Sequence, residues 1–254
     1  MDIGLLKSAL LSEGFCDLRF QDFELTTIKG TKREIDTVAV IKKSGGNVRV
    51  LSGGGYGTFC FTDTKDLEFA FKEAKFASDL VAGEKNFEHV EINVDWVRIK
   101  PTLDPRTVSM DAKKALINQY IDLFMNHEGI VNLETEYYEQ FTDTLVLNNK
   151  GTEVRQEELI VGINFRVTSK KDELTQITRL SLGGGEDYAD LLGKEDEVMA
   201  KAKQTLDLLD AEPVVGGNYD VVLDSDVSGL FIHEAFGHLS EADNLVGNAS
   251  LAET

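Results

Sequence analysis

Two histidines five residues apart, His233 and His238, with Glu234 directly after the first, set the hardest geometric condition this chain must meet. Imidazole nitrogens suit Zn²⁺, and a carboxylate beside them can take a proton from water activated by the metal. The usual H-E-x-x-H pattern puts its histidines four apart, on one helical face. At 3.6 residues per turn, residues five apart point roughly 140° from each other, against about 40° for residues four apart. His233 and His238 can therefore reach one metal only if the helix is distorted, as at a π-bulge, or ends near Gly237. Glycine permits such a change at least cost. The expectation is a local distortion between Ala235 and His238. A straight helix with diverging rings leaves the histidines as ordinary helix residues.

The surroundings suit a rigid site. Residues 219–224 read as a short strand, and Ser225, Asp226 or Ser228 is a candidate cap for the helix that follows. Glu241, three residues past His238, is either a group that orients a ligand or plain surface.

Upstream, the pattern alternates between two periods. Helical spacing covers residues 2–13, 63–82, 106–126 and 191–209, while residues 15–61, 90–100 and 128–182 carry strand alternation between turn signals. Ala112, Ala115, Leu116, Tyr120 and Leu123 mark the buried stripe expected of the third helix. Ser44-Gly45-Gly46-Asn47 and Asn148-Asn149-Lys150-Gly151 are expected hairpin turns. His127, beside a helix end and before Gly129, reads as a cap facing the helix dipole. Strands mixed with separate helices, without strict alternation, define an α+β chain. Glu212-Pro213-Val214-Val215-Gly216-Gly217 is the clearest linker, dividing an N-terminal domain (1–212) from the start of a second, metal-bearing domain (213–254).

The glycine run Gly53-Gly54-Gly55-Tyr56-Gly57 lacks a following Gly-Lys-Ser/Thr and breaks the dinucleotide register at Thr58, so it reads as a turn or bulge. The dense carboxylates Glu134, Glu136, Glu139, Glu153, Glu157 and Glu158 read as a solvated sheet face. Arg179 to Gly185 echoes Arg49 to Gly55, and helix–strands–helix occurs twice, as in a worn duplication.

Twenty-six basic against forty-five acidic residues give −19, a surface that repels phosphate backbones, so no nucleic-acid partner is expected. Two cysteines make no disulfide framework and point to a reducing compartment. No stretch approaches a membrane span, and a cytoplasmic location is expected.

Residues 213–224, running into His233-Glu234-Ala235-Phe236-Gly237-His238 and Glu241-Ala242-Asp243, resemble the TldD/PmbA family, the modulators of DNA gyrase. Residues 46–57 carry a second part of the resemblance. The histidines match the TldD type; the PmbA (TldE) type lacks them. The resemblance implies a cytoplasmic zinc metallopeptidase acting on small or unfolded peptides. His233 and His238 are then the metal ligands, Glu234 the general base, and the partner a second copy or a PmbA/TldE-like subunit. It also implies a chain about twice this length and a cysteine as third ligand far into its second half, where neither Cys16 nor Cys60 lies. This chain is accordingly expected to be the first half of such a protein. The alternatives are a catalytically incomplete binding or assembly module, and a different metal-dependent hydrolase whose site Glu241 or Asp243 completes locally.

Overall fold

The computed structural model describes residues 3–12, 14–81 and 91–241, and its contacts group into two compact units, Met1–Ala211 and Glu212–Thr254. In the first unit, period-two sequence runs build long strands. These are β1 (Phe15–Thr31), β2 (Glu34–Ser52), β3 (Gly55–Phe61), β4 (Val94–Val97), β5 (Ile130–Asn148), β6 (Glu153–Lys171) and β7 (Leu174–Gly185). Among the described residues they form one seven-stranded sheet in the order β3-β2-β1-β5-β6-β4, with β7 also paired to β6. All pairings are antiparallel except β4 with β6. Helices α1 (Ile3–Ser8), α2 (Leu67–Leu80), α3 (Met110–Met125) and α4 (Glu195–Asp207) complete the α+β unit.

β2, β5 and β6 are each 19 residues long. At about 3.3 Å per residue, such a strand spans roughly 60 Å, more than one core can cover. Two cores share the sheet. Leu18 of β1, Val48 of β2 and Leu145 of β5 pack with Leu6 of α1 and with Leu67 and Phe71 of α2. Ile28 of β1, Tyr137 of β5 and Phe165 of β6 pack with Ile117 and Phe124 of α3 and Val198 of α4. Leu18 and Ile28 lie an even number of residues apart on β1, as Tyr137 and Leu145 do on β5. Both cores are therefore on one face of the sheet.

Several sequence expectations change here. Within the strand region expected at 15–61, the expected turn Ser44 to Asn47 instead runs straight through β2, paired with Arg19 to Asp22. Its glycines answer a close approach: a Cβ on Gly46 would sit 2.6 Å from the Phe61 ring. The chain instead turns at Lys32-Arg33, with Lys32 at φ +57°. The turn expected at residues 148–151 forms between β5 and β6. Gly53 and Gly54 form the β2–β3 turn, both at positive φ, while Gly55 and Gly57 let the start of β3 press against α2 backbone, where a Cβ would meet Ser78 O and Ala74 O at 1.9 Å.

The buried stripe of α3 is Lys113, Ile117, Tyr120, Ile121 and Phe124, rotated from the one expected, with Leu116 and Leu123 only partly buried. The stripe includes a lysine because Glu139 waits opposite it on β5. Lys113 and Glu139 form an ion pair with side chains 5% and 6% exposed, and the Tyr137 hydroxyl donates to Glu139 at 2.7 Å. Glu139 thus leaves the solvated face proposed for the carboxylates. Burial first, and then the bond to Glu139, push the Tyr137 phenol well above its ordinary pKa.

The helix–strands–helix order does occur twice, as α1-β1-β2-β3-α2 and α3-β5-β6-β7-α4. The echoed glycine runs fall at different places in it: Gly53 to Gly55 cover the turn between the second and third strands and the first residue of the third, Gly183 to Gly185 the end of the third. The helices read at 2–13 and 63–82, and the strand at 90–100, have ends outside the described residues; their described cores are α1, α2 and β4.

Asp187 links the segment before α3 to the turn before α4. Its carboxylate accepts from the backbone N–H of Thr102, Leu103 and Ala189. These bonds, that from Ala189 foremost, lower its pKa. A carboxylate depressed in the folded state adds stability above its unfolded pKa and loses it as pH falls through the folded value. Asp187→Ala should therefore lower the melting temperature at pH 7, and the gap to the parent should close on acidification. A gap independent of pH would refute the role of the charge.

Candidate metal centre

The second unit positions its side chains on one short helical run. Helix α5 (Ser225–Ile232) starts at Asp224, whose carboxylate accepts from Val227 N at 2.9 Å. Asp224, rather than Ser225, Asp226 or Ser228, is thus the cap, and an aspartate just before the first turn is a standard signal for it. Residues 219–224 form no strand. Among the described residues no other strand pairs with them, and an unpaired ladder does not hold.

After Ile232 the helix widens into a π turn, His233–Gly237, closed by the bond from His238 N–H to His233 O. A π turn bonds residues five apart as an α-helix bonds residues four apart, so it stacks positions i and i+5. The distortion starts two residues earlier than Ala235. It also makes no use of glycine's freedom: Gly237 is right-handed helical, at φ −55° and ψ −57°. A further 3₁₀ turn, His238–Ser240, ends at Glu241, where the backbone becomes extended.

The π turn brings the two imidazoles together, with ring centroids 4.6 Å apart and planes inclined at 73°. One possible ligand atom from each of His233, Glu234 and His238 lies within 4.8 Å of the others. Glu234 Oε2 is 3.8 Å from His238 Nε2, and Glu241 Oε1 is 2.8 Å from His238 Nδ1. A carboxylate on Nδ1 orients the ring and favours the tautomer protonated there, which presents the Nε2 lone pair as the possible metal-ligand atom. Sequence alone weighed Glu241 evenly between this position and bare surface.

Two imidazoles and a carboxylate, gathered at this separation, are a donor set that can hold a metal ion. Neither cysteine belongs to the cluster, and Asp243 lies outside the described residues. Glu241 is turned to His238 Nδ1. The cluster is exposed, and so are its apolar neighbours Leu230, Phe231, Phe236 and Leu239, each 60–67% accessible.

An α+β unit followed by a helical His-Glu-His cluster describes a class of metal-binding chain, and comparison with known proteins narrows it. The model of PmbA/TldA metallopeptidase domain 1 matches residues 16–78. A metalloprotease of Synechocystis sp. is 31% identical over 242 residues, covering 94% of this chain and 52% of that protein. A crystal structure from Bacteroides thetaiotaomicron, described as a modulator of DNA gyrase, superposes with TM-score 0.78 at 16% identity, over 93% of this chain and 56% of that one. TldE from Thermococcus kodakarensis shares the fold at TM-score 0.62 and 12% identity, over 81% and 46% of the two chains. The chain thus matches the PmbA/TldA metallopeptidase domain 1 within its first unit and shares the fold of these solved structures. It spans about half the length of the curated relatives it matches. No helix among the described residues is long and apolar enough to cross a membrane.

Proposed function

We propose that the chain is the first half of a zinc-dependent peptidase subunit acting on small or unfolded peptides, in the cytoplasm. His233 and His238 hold the zinc, and Glu234 is the general base. The observation that carries this reading is the π turn, because it turns a spacing that would splay two imidazoles into one that gathers them. Similarity to metalloproteases suggests the reaction class. Zinc, when bound, supplies Lewis acidity, which makes water acidic near neutral pH and polarises a peptide carbonyl.

The chain's own residues divide the remaining work. Glu234 accepts the proton of the attacking water at a carboxylate oxygen and passes it to the departing amine nitrogen. Glu241 positions His238 through Nδ1. With two histidines in the cluster, the ligand set is completed from outside the described residues, and the subunit works beside a second copy or a PmbA/TldE-like partner.

A separation of roles tests this reading. Glu234→Ala should keep zinc at the parent's level while peptide hydrolysis, measured in the assembled enzyme, falls by at least about 100-fold, the usual scale for a general base. Hydrolysis unchanged in Glu234→Ala would remove that residue from the mechanism.

A further inference from the structure

The inference concerns the first unit alone and does not rest on the peptidase reading. Strand β3 covers only Gly46 to Ser52 of the outer edge of β2. From Glu34 to Gly45 that edge has no strand partner among the described residues, and these residues make their ladder bonds to β1 alone. A bare edge of this length is a template for another strand, and proteins usually guard it with charge, proline or a bulge. The outer edge of β7 carries Arg179 at its middle, whereas the centre of the β2 edge, Thr37-Val38-Ala39-Val40-Ile41, carries no charge and no proline. Val38, Val40 and Ile41 are 43%, 50% and 41% exposed.

The charges that do exist are sorted by end. Glu34 and Asp36 stand at the start of the segment, and Lys42 and Lys43 at its close. Antiparallel pairing of two such segments sets acid against base at both ends. We propose that the β2 edge binds the same edge of a second copy of this chain, antiparallel about Ala39, joining two sheets into one. A twofold axis normal to the sheet keeps side chains of like parity opposite one another, which fixes the pairs. Val38 faces Val40 twice, Thr37 faces Ile41 twice, and Asp36 faces Lys42 twice. Within one copy Asp36 accepts from Thr31 Oγ1 at 3.2 Å and Lys42 bonds Glu24 at 2.7 Å, so both end groups are shared with the neighbouring copy. The net charge of −19 on each copy opposes association, but at physiological salt it is screened over about 8 Å, while the paired strands are in contact.

Cross-linking the full chain reads the register directly, with Cys60→Ser as background to remove the exposed thiol. Ala39→Cys lies on the twofold axis and should form a covalent dimer under mild oxidant, whereas Ser44→Cys, ten residues from its own counterpart in this register, should not. Ala39→Lys sets like charges directly opposite and should weaken the dimer measured by analytical ultracentrifugation, by roughly fivefold on the scale of one cross-strand pair. Circular dichroism checks that each variant is folded. A folded monomeric parent, a dimer indifferent to Ala39→Lys, or equal cross-linking at 39 and 44 would overturn the proposal.

Discussion

Replacing His233 by alanine should abolish stoichiometric zinc retention in the purified protein. Removing one of two imidazoles takes away a coordinate bond, so the loss of affinity should exceed the roughly 10–100-fold typical of removing a hydrogen-bond partner behind a ligand. Glu241→Ala should fall within that lesser range, because His238 keeps its lone pair and loses only the carboxylate 2.8 Å from Nδ1. Zinc titration against a competing chelator ranks the two. Equal losses would mean that Glu241 is itself a ligand and that its contact with His238 gives way on metal binding.

The second large effect is on stability. Lys113→Ala should destabilise the first unit by about 3–5 kcal/mol, because it takes the partner charge from a buried Glu139 and leaves it the Tyr137 hydroxyl as hydrogen-bond donor among the described residues. A buried pair resists the loss of one partner far more than the loss of both. The double variant Lys113→Met, Glu139→Leu should therefore recover most of the deficit, as apolar replacements of buried pairs often do. Urea unfolding followed by the near-ultraviolet signal of the unit's aromatic residues measures both. If the single variant unfolds within about 1 kcal/mol of the parent, water reaches Glu139 and the pair is not sealed in the way its exposure indicates.

How much of this was legible in the sequence depends on where the signal lay. The order of helices and strands followed from period, and the β5–β6 turn followed from Asn149 and Gly151, residues with a chemical reason to turn. The β1–β2 turn at Lys32-Arg33 had no such cue, since the left-handed residue is a lysine, whereas the Gly45-Gly46 pair gave a false one. Those glycines make room for Phe61, a contact that no local pattern reveals. The α3 stripe was misread by one step because a buried lysine breaks the apolar periodicity, and only the partner on β5 explains it. At the metal centre, the five-residue spacing itself forced the expectation of a distorted helix. What spacing could not supply was the location of the distortion, its right-handed backbone at Gly237, or the contact of Glu241 with His238.

X-ray absorption at the zinc edge of the zinc-loaded chain tests the central claim most directly. The account predicts imidazole scattering with zinc–nitrogen distances of about 2.0–2.1 Å, reduced in His233→Ala and in His238→Ala alike. Zinc whose environment shows no imidazole, or is unchanged by either substitution, would contradict the assignment of His233 and His238 as ligands.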